Sequence, residues 1–84
     1  MDEETRLKRL IYRSWHRGCK ETDIVLGQFA ESGLRELDAD RLALYESLLD
    51  ENDIDIWNWL TDQDAPKPEY HSLLNVIKAA NGGR

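Results

Sequence analysis

The sequence predicts an all-α fold, a small single-domain five-helix bundle over residues 1–84. Three observations support this fold class. Apolar residues recur at helical spacing in five segments, and short connections with glycine, proline or aspartate separate these segments. No segment alternates apolar and polar residues as a half-buried strand would. Since a chain of 84 residues forms one domain and its connections are short, we expect successive helices to pack as neighbours.

The first two helices are predicted on either side of a glycine. Helix one is expected over about residues 3–16, and its apolar stripe consists of Leu7, Leu10, Ile11 and Trp15. Gly18 interrupts this stripe, and glycine has the backbone freedom that a tight reversal needs. Helix two is expected to begin near residue 20 and to end before Gly33. Gly27 lowers helix propensity by about 1 kcal/mol relative to alanine, so it would be tolerated best where another helix packs closely against the backbone.

Capping residues predict the starts of the next two helices. Asp38 is a natural N-cap of helix three, whose apolar face consists of Leu42, Tyr45, Leu48 and Leu49. Either Asn52 or Asp53 is expected to cap a short fourth helix. Within that helix Trp57 and Trp59 are two positions apart and diverge by about 200°. One of the two is therefore expected to be exposed enough to anchor a partner, or to lie against the proline link that follows.

The fifth helix follows this proline link. Pro66 and Pro68 favour extended backbone, and the apolar face after them consists of Tyr70, Leu73, Leu74 and Ile77. We expect an ordered core over about residues 4–79 and fraying of Asn81–Arg84, because glycine-rich termini are seldom held.

The charge distribution argues against nucleic-acid binding. Eleven basic and seventeen acidic residues give a net charge of −6, although residues 1–20 alone carry six basic against three acidic residues. A helix-turn-helix motif reads DNA with the helix after the turn, and here that helix carries Glu21, Asp23 and Glu31. These carboxylates would repel phosphates, so no nucleic-acid partner is expected.

Cysteine content and hydropathy suggest a compartment. Cys19 is the only cysteine, so the 84 residues form no internal disulfide, as is usual in a reducing compartment. No apolar run reaches the ~20 residues of a membrane span, and the first residues are acidic rather than those of an export signal. We therefore expect a cytoplasmic protein without direct membrane insertion.

The residue pattern gives little support for an enzyme or for a metal-binding protein. His16 and Cys19 are three residues apart, but no third group that would orient the histidine is evident. With His71 they match no close zinc spacing, and Asp53-x-Asp55 lacks the glycine and the glutamate of a calcium loop. The sequence also has no glycine-rich phosphate loop. We expect a protein that is not an enzyme, with no catalytic residue, no metal and no cofactor of its own.

The turn between helices one and two is the candidate site for a partner. Arg17 precedes Gly18 and Glu21 follows it, so that charges of opposite sign surround a bent backbone. The other candidate partner-binding residues beside this turn are Arg13, His16 and Asp23. The alternative is a self-contained turn in which Glu21 neutralises Arg17 and nothing external binds.

Three segments together resemble the succinate dehydrogenase flavinylation factors, which are small assembly proteins. The segments are Arg17-Gly18-x-x-Glu21 followed by Asp23 and Phe29, Leu44-Tyr45-x-x-Leu48-Leu49, and Asp53-x-Asp55-x-Trp57-x-Trp59-Leu60. The resemblance extends from about Arg6 to Ile77. One departure is Cys19, where a larger apolar residue such as methionine is common in the family.

The resemblance implies a five-helix protein that binds the flavoprotein subunit of succinate dehydrogenase, or of fumarate reductase, and promotes covalent attachment of FAD to it. The client would perform the chemistry, and the factor would hold it in a competent conformation. Apart from the resemblance, we expect the free factor to be a monomer. By the same resemblance Arg17, Gly18 and Glu21 would lie at the client surface, and the source would be bacterial and cytoplasmic. Some members have been assigned an antitoxin-like or regulatory role, so binding to a different protein is the alternative function.

Overall fold

Five α-helices make up most of residues 3–81, the part of the chain that this computed structural model describes. The helices are α1 (Glu3–Trp15), α2 (Lys20–Gly33), α3 (Ala39–Leu48), α4 (Asp53–Leu60) and α5 (His71–Ala80). Single 3₁₀ turns, Leu34–Glu36 and Pro68–Tyr70, precede α3 and α5, and residues 3–81 contain no strand. The predicted five-helix all-α fold is confirmed. The fraying predicted for Asn81–Arg84 stays a prediction: residues 82–84 lie outside the described residues, and the Asn81 side chain donates to the Ile77 carbonyl at 2.9 Å.

The helix ends follow local capping chemistry. Glu3 and Glu4 lie in the first turn of α1 and Arg13 in its last turn, which suits the helix dipole. Asp38 caps α3 as predicted, because its carboxylate accepts from the backbone N–H of Arg41 at 2.8 Å. Of the two candidate caps for α4, Asn52 is the N-cap, and its side chain accepts from the N–H of Ile54 at 2.9 Å. Because Asn52 is the cap, the side chain of Asp53, the first residue of the helix, can make a different contact.

The end of α2 differs from the sequence expectation. Gly33 is the last helical residue rather than the residue after the helix, and its φ of −116° is not left-handed. The chain continues into the 3₁₀ turn because Leu34 is buried, with 1% of its surface exposed. Burial of an apolar side chain therefore decides this boundary.

The helices enclose one apolar core to which every helix contributes. Its largest fully buried apolar side chains are Tyr45, Tyr70, Leu10, Leu26, Leu34, Leu48, Ile56, Leu73, Leu74 and Ile77. The α1 and α2 helices form a close pair, α2 also packs on α4 and α5, and α3 packs on α5. The radius of gyration is 11.8 Å, as expected for a compact domain of this length. None of the helices in residues 3–81 is long and apolar enough to cross a bilayer.

The close approach predicted at Gly27 is present between α1 and α2. A Cβ at this position would lie 2.2 Å from Cδ2 of Trp15, so the indole ring rests directly on the α2 backbone. The ring is fixed there because its N–H donates to Glu31 at 2.7 Å. This contact brings the two helices together just before the Gly18 turn.

Candidate partner-binding site

Gly18 forms the turn that joins α1 to α2, as predicted. Its φ is +102°, in the left-handed region that side chains other than glycine rarely adopt. A Cβ built at this position would meet nothing within 4 Å, and the residue is exposed. Backbone conformation, and not crowding, therefore requires glycine here.

Asp23 stabilises the turn through two hydrogen bonds within the chain. Its carboxylate accepts from the backbone N–H of Arg17 at 3.0 Å, and its own N–H donates to the carbonyl of Cys19 at 2.8 Å. Thr22 is fully buried and donates to the Cys19 sulfur at 3.4 Å. Asp23, a predicted partner-binding residue, thus has an internal role in closing the turn, and Cys19 belongs to the same set of bonds.

The guanidinium of Arg17 points into the molecule, towards the junction of α3 and α4. Its Nε donates to Asp53 at 2.6 Å, while Nη1 and Nη2 donate to the carbonyls of Leu49 and Glu51 at 2.5 and 2.7 Å. Only 9% of the Arg17 side chain is exposed. The planar fork of the guanidinium fits this set of acceptors, which consists of one carboxylate and two carbonyls. Basic side chains commonly donate to the free carbonyls at a helix C-terminus in this way.

Asp53 is therefore the carboxylate that neutralises Arg17. In the alternative of a self-contained turn the partner of Arg17 is Glu21, and Asp53 is considered only as a candidate helix cap, so the Arg17–Asp53 contact is missed from the sequence. The signal available in the sequence was the acidic segment before the tryptophans, but nothing in the spacing indicates that residues 36 positions apart meet.

Glu51 extends this cluster towards α5. Its side chain accepts from Lys67 at 2.9 Å and from the Tyr70 hydroxyl at 3.0 Å, while its carbonyl accepts from Arg17. The hydrogen bond from Lys67, helped by the one from Tyr70, lowers the pKa of the Glu51 carboxyl below its ordinary value. The Arg17 turn, the α3–α4 junction and the link before α5 are thus held by one connected set of polar contacts.

The outward side of the turn carries the groups that remain available. Gly18, Lys20 and Glu21 are exposed, and within residues 3–81 Glu21 takes part in no ion pair, only in a long 4.0 Å contact from the Cys19 thiol. His16 is also exposed, stacks on Tyr12 at 4.1 Å between ring centroids, and has Nδ1 2.8 Å from the Tyr12 carbonyl. A partner approaching the turn would meet a bare backbone, a carboxylate and an imidazole.

The predicted site residues therefore fall into two sets. Gly18, Glu21 and His16 face solvent, whereas Arg17 and Asp23 are engaged within the chain. The sixth, Arg13, is half-buried and donates to Asp50 at 2.8 Å.

Trp57 and Trp59 diverge as the sequence predicted. Trp59 is buried and its ring lies 5.8 Å from that of Tyr70, between centroids. Trp57 is half-buried and lines an open groove of about 780 Å³ between α2, α4 and α5. The groove residues also include Ile24, Val25, Phe29, Leu60 and Lys78.

Comparison with known proteins identifies relatives along most of the chain. Residues 8–81 match the model of a family described as the flavinator of succinate dehydrogenase. A protein named succinate dehydrogenase assembly factor 2, mitochondrial, from Yarrowia lipolytica is 42% identical over 67 residues, 80% of this chain and 46% of the relative. The protein of the same name from Drosophila virilis is 41% identical over 77 residues, 88% of this chain and 49% of the relative. No solved structure matches the chain.

These relatives contradict the predicted location. The expectation of a bacterial cytoplasmic protein is wrong, because the relatives are named as mitochondrial proteins and come from fungi and flies. The expectation depended on the absence of a targeting segment from these 84 residues. The chain spans about half the length of the curated relatives it matches, so that absence carries no weight.

The family resemblance noted in the sequence is confirmed over more than three quarters of the chain. The matched segment, residues 8–81, contains the turn at Gly18, the Arg17–Asp53 contact and the two tryptophans of α4. The chain belongs to the family of the flavinator of succinate dehydrogenase.

Proposed function

We propose that this protein is an assembly factor that binds the flavoprotein subunit of succinate dehydrogenase and promotes covalent attachment of FAD to that subunit. Family membership over residues 8–81 is the observation that carries the proposal. The factor acts as a conformational chaperone. It holds the client in an arrangement where the reacting histidine and flavin are aligned, and removing misaligned states lowers the barrier without any catalytic group on the factor.

The outward side of the Gly18 turn is the proposed client contact. Because glycine has no side chain, the client backbone can approach the turn closely, and a Cβ there would point into open space that the client then occupies. Glu21 supplies an exposed carboxylate, which suits a cationic or N–H donor group on the client. His16 and Tyr12 add an exposed aromatic stack beside these two residues.

FAD belongs to the client in this proposal. The groove beside Trp57 offers no free cation for a pyrophosphate, because the lysine in its lining, Lys78, already binds Asp62 at 2.5 Å. A pyrophosphate is ordinarily bound by backbone N–H groups at a helix N-terminus or by free cations. We further propose that the free factor is a monomer, that it serves fumarate reductase flavoprotein as a second client, and that it has no turnover of its own.

Substitution of Glu21 tests the proposed contact. Glu21→Gln keeps the side-chain size and removes the charge, so affinity for the flavoprotein subunit should fall about tenfold or more if a charged hydrogen bond is lost. Covalent flavin on the client, measured by in-gel fluorescence after acid denaturation, should fall with it. Glu36→Gln, at an exposed glutamate in the 3₁₀ turn after α2, is the matched control and should behave as wild type.

Gly18→Ala provides a second, independent test. Forcing a side chain to a φ of +102° costs about 1–2 kcal/mol, so the turn should shift while the helices survive, as circular dichroism would show. Full flavinylation by both variants would refute the client contact. Failure of wild-type protein to bind or flavinylate any succinate dehydrogenase flavoprotein would refute the proposed function itself.

A further inference from the structure

We infer that Asp53, acting through Arg17, is a positioning residue for the client-binding turn. The inference deepens the proposed function and rests on it for the identity of the client. In this view the arginine beside Gly18 does not contact the client. It fixes the direction in which Gly18 and Glu21 are presented, and Asp53 on α4 fixes the arginine.

Arg17 is held through its main chain and through its side chain. Its main-chain N–H donates to Asp23 in α2, and its guanidinium donates to Asp53 and to two carbonyls at the α3–α4 junction. Gly18 follows directly in the chain, and glycine would otherwise adopt many conformations. The conformation of the turn is therefore set by contacts to three different helices or their ends.

The same contacts leave the arginine little capacity for an external ligand. Each of its three guanidinium nitrogens already donates one hydrogen bond, and 91% of the side chain is covered, given its exposed fraction of 9%. Turning the guanidinium outward would leave the Asp53 carboxylate, itself 25% exposed, without its cation and the Leu49 and Glu51 carbonyls without donors. Loss of one partner of such a set is costly because the remaining polar groups are left unsatisfied.

Asp53 belongs to a different helix from the proposed contact residues. It is the first residue of α4, whereas Gly18 and Glu21 belong to the turn before α2 and its first helical turn. Its side chain reaches the turn through the hydrogen bond from the Arg17 guanidinium, and we expect its effect on client binding to pass through that bond. Two residues that act through one contact give non-additive effects when both are changed.

The experiment is a double-mutant cycle with Asp53→Asn and Arg17→Lys. Asp53→Asn removes the charge at nearly constant size, and Arg17→Lys keeps the charge but loses the planar fork. We expect each to weaken binding to the flavoprotein subunit about tenfold, and the double variant to be no weaker than the worse single variant. Backbone amide NMR signals of residues 18–21 should shift in Asp53→Asn, which a purely stabilising contact elsewhere would not produce.

Arg6→Gln is the matched control. Arg6 pairs with Glu46 at 2.8 Å, so it also joins α1 to α3 through a long-range ion pair, but it lies at the far end of α1 from the turn. Client affinity should stay within about twofold of wild type, and the signals of residues 18–21 should not move.

Two results would overturn the inference. Normal binding by Asp53→Asn together with weakened binding by Arg17→Lys would mean that the arginine contacts the client directly. Unchanged amide signals at residues 18–21 in Asp53→Asn would mean that the contact does not position the turn. If wild-type protein fails to bind the flavoprotein, the proposed function fails, and the amide signals alone then decide whether Asp53 positions the turn.

Discussion

Two glycines in this chain are required for different physical reasons. At Gly18 there is open space, and only the φ of +102° excludes other residues. At Gly27 the space is filled by the indole of Trp15, which a Cβ would approach to 2.2 Å. Gly18 shapes the proposed contact surface, and Gly27 allows α1 and α2 to pack closely.

Gly27→Ala should destabilise the protein despite alanine's higher helix propensity. The propensity gain is about 1 kcal/mol, whereas overpacking of a close contact typically costs about 1–3 kcal/mol, and displacing the indole also breaks its bond to Glu31. We expect urea denaturation to show a free energy of unfolding lower by about 1 kcal/mol. Gln28→Ala, at the exposed neighbour, should stay within about 0.5 kcal/mol of wild type. A stabilised Gly27→Ala variant would contradict the tight packing.

The junction between α3 and α4 is stabilised by contacts from the first and last thirds of the chain. Arg17 binds its carbonyls and Asp53, while Glu51 within it accepts from Lys67 and Tyr70. The short connection is therefore held at both sides by polar contacts. This arrangement explains how an eight-residue helix such as α4, too short to be stable alone, keeps a defined position.

The contribution of Glu51 should depend on pH. Its pKa is lowered in the folded protein, mainly by the hydrogen bond from Lys67, so its stabilisation is present above about pH 4.5 and is lost as pH falls through the folded-state pKa. Between pH 7 and pH 3 the melting temperature of wild type should therefore fall more than that of Glu51→Gln. Glu36→Gln should follow the wild-type curve. Parallel wild-type and Glu51→Gln curves would argue against this contact.

A small polar network at the centre of the molecule joins three helices. The Tyr45 hydroxyl of α3 lies 2.6 Å from the Ser14 hydroxyl of α1 and donates to the Leu26 carbonyl of α2 at 3.3 Å. The Ser14 hydroxyl also lies 2.8 Å from the Leu10 carbonyl, so its single proton is shared between that carbonyl and the Tyr45 oxygen. Since every one of these polar groups has a partner, the network specifies how the helices meet without leaving a buried group unsatisfied.

Alkaline unfolding should report on this network. Burial raises the Tyr45 pKa from 10.0 to about 12, although the Ser14 hydrogen bond opposes the shift. The unfolded chain then releases the proton at lower pH than the folded protein, so stability should decline by about 2–3 kcal/mol between pH 10 and pH 12. Tyr45→Phe should start less stable, because it loses the hydroxyl bonds, but should lose less stability over that range. An equal decline in both proteins would place the titrating group elsewhere.

Local sequence signals predicted the helices well because those signals act over a few residues. The Asp38 cap, the glycine turn and the divergence of Trp57 from Trp59 all depend on spacings of four residues or fewer. Boundaries that depend on burial were less predictable, as the 3₁₀ turn after Gly33 shows.

The sequence by itself determined the all-α fold, the position of the turn and the family, since helical periodicity, caps and a motif are all local patterns. Only the tertiary structure decided which charged side chains are covered and which face solvent. Arg17 and Glu21 look equivalent along the chain, yet one is covered by the α3–α4 junction and the other faces solvent. The reason is that Asp53 and the two carbonyls reach Arg17 only after the intervening helices have folded back onto α1.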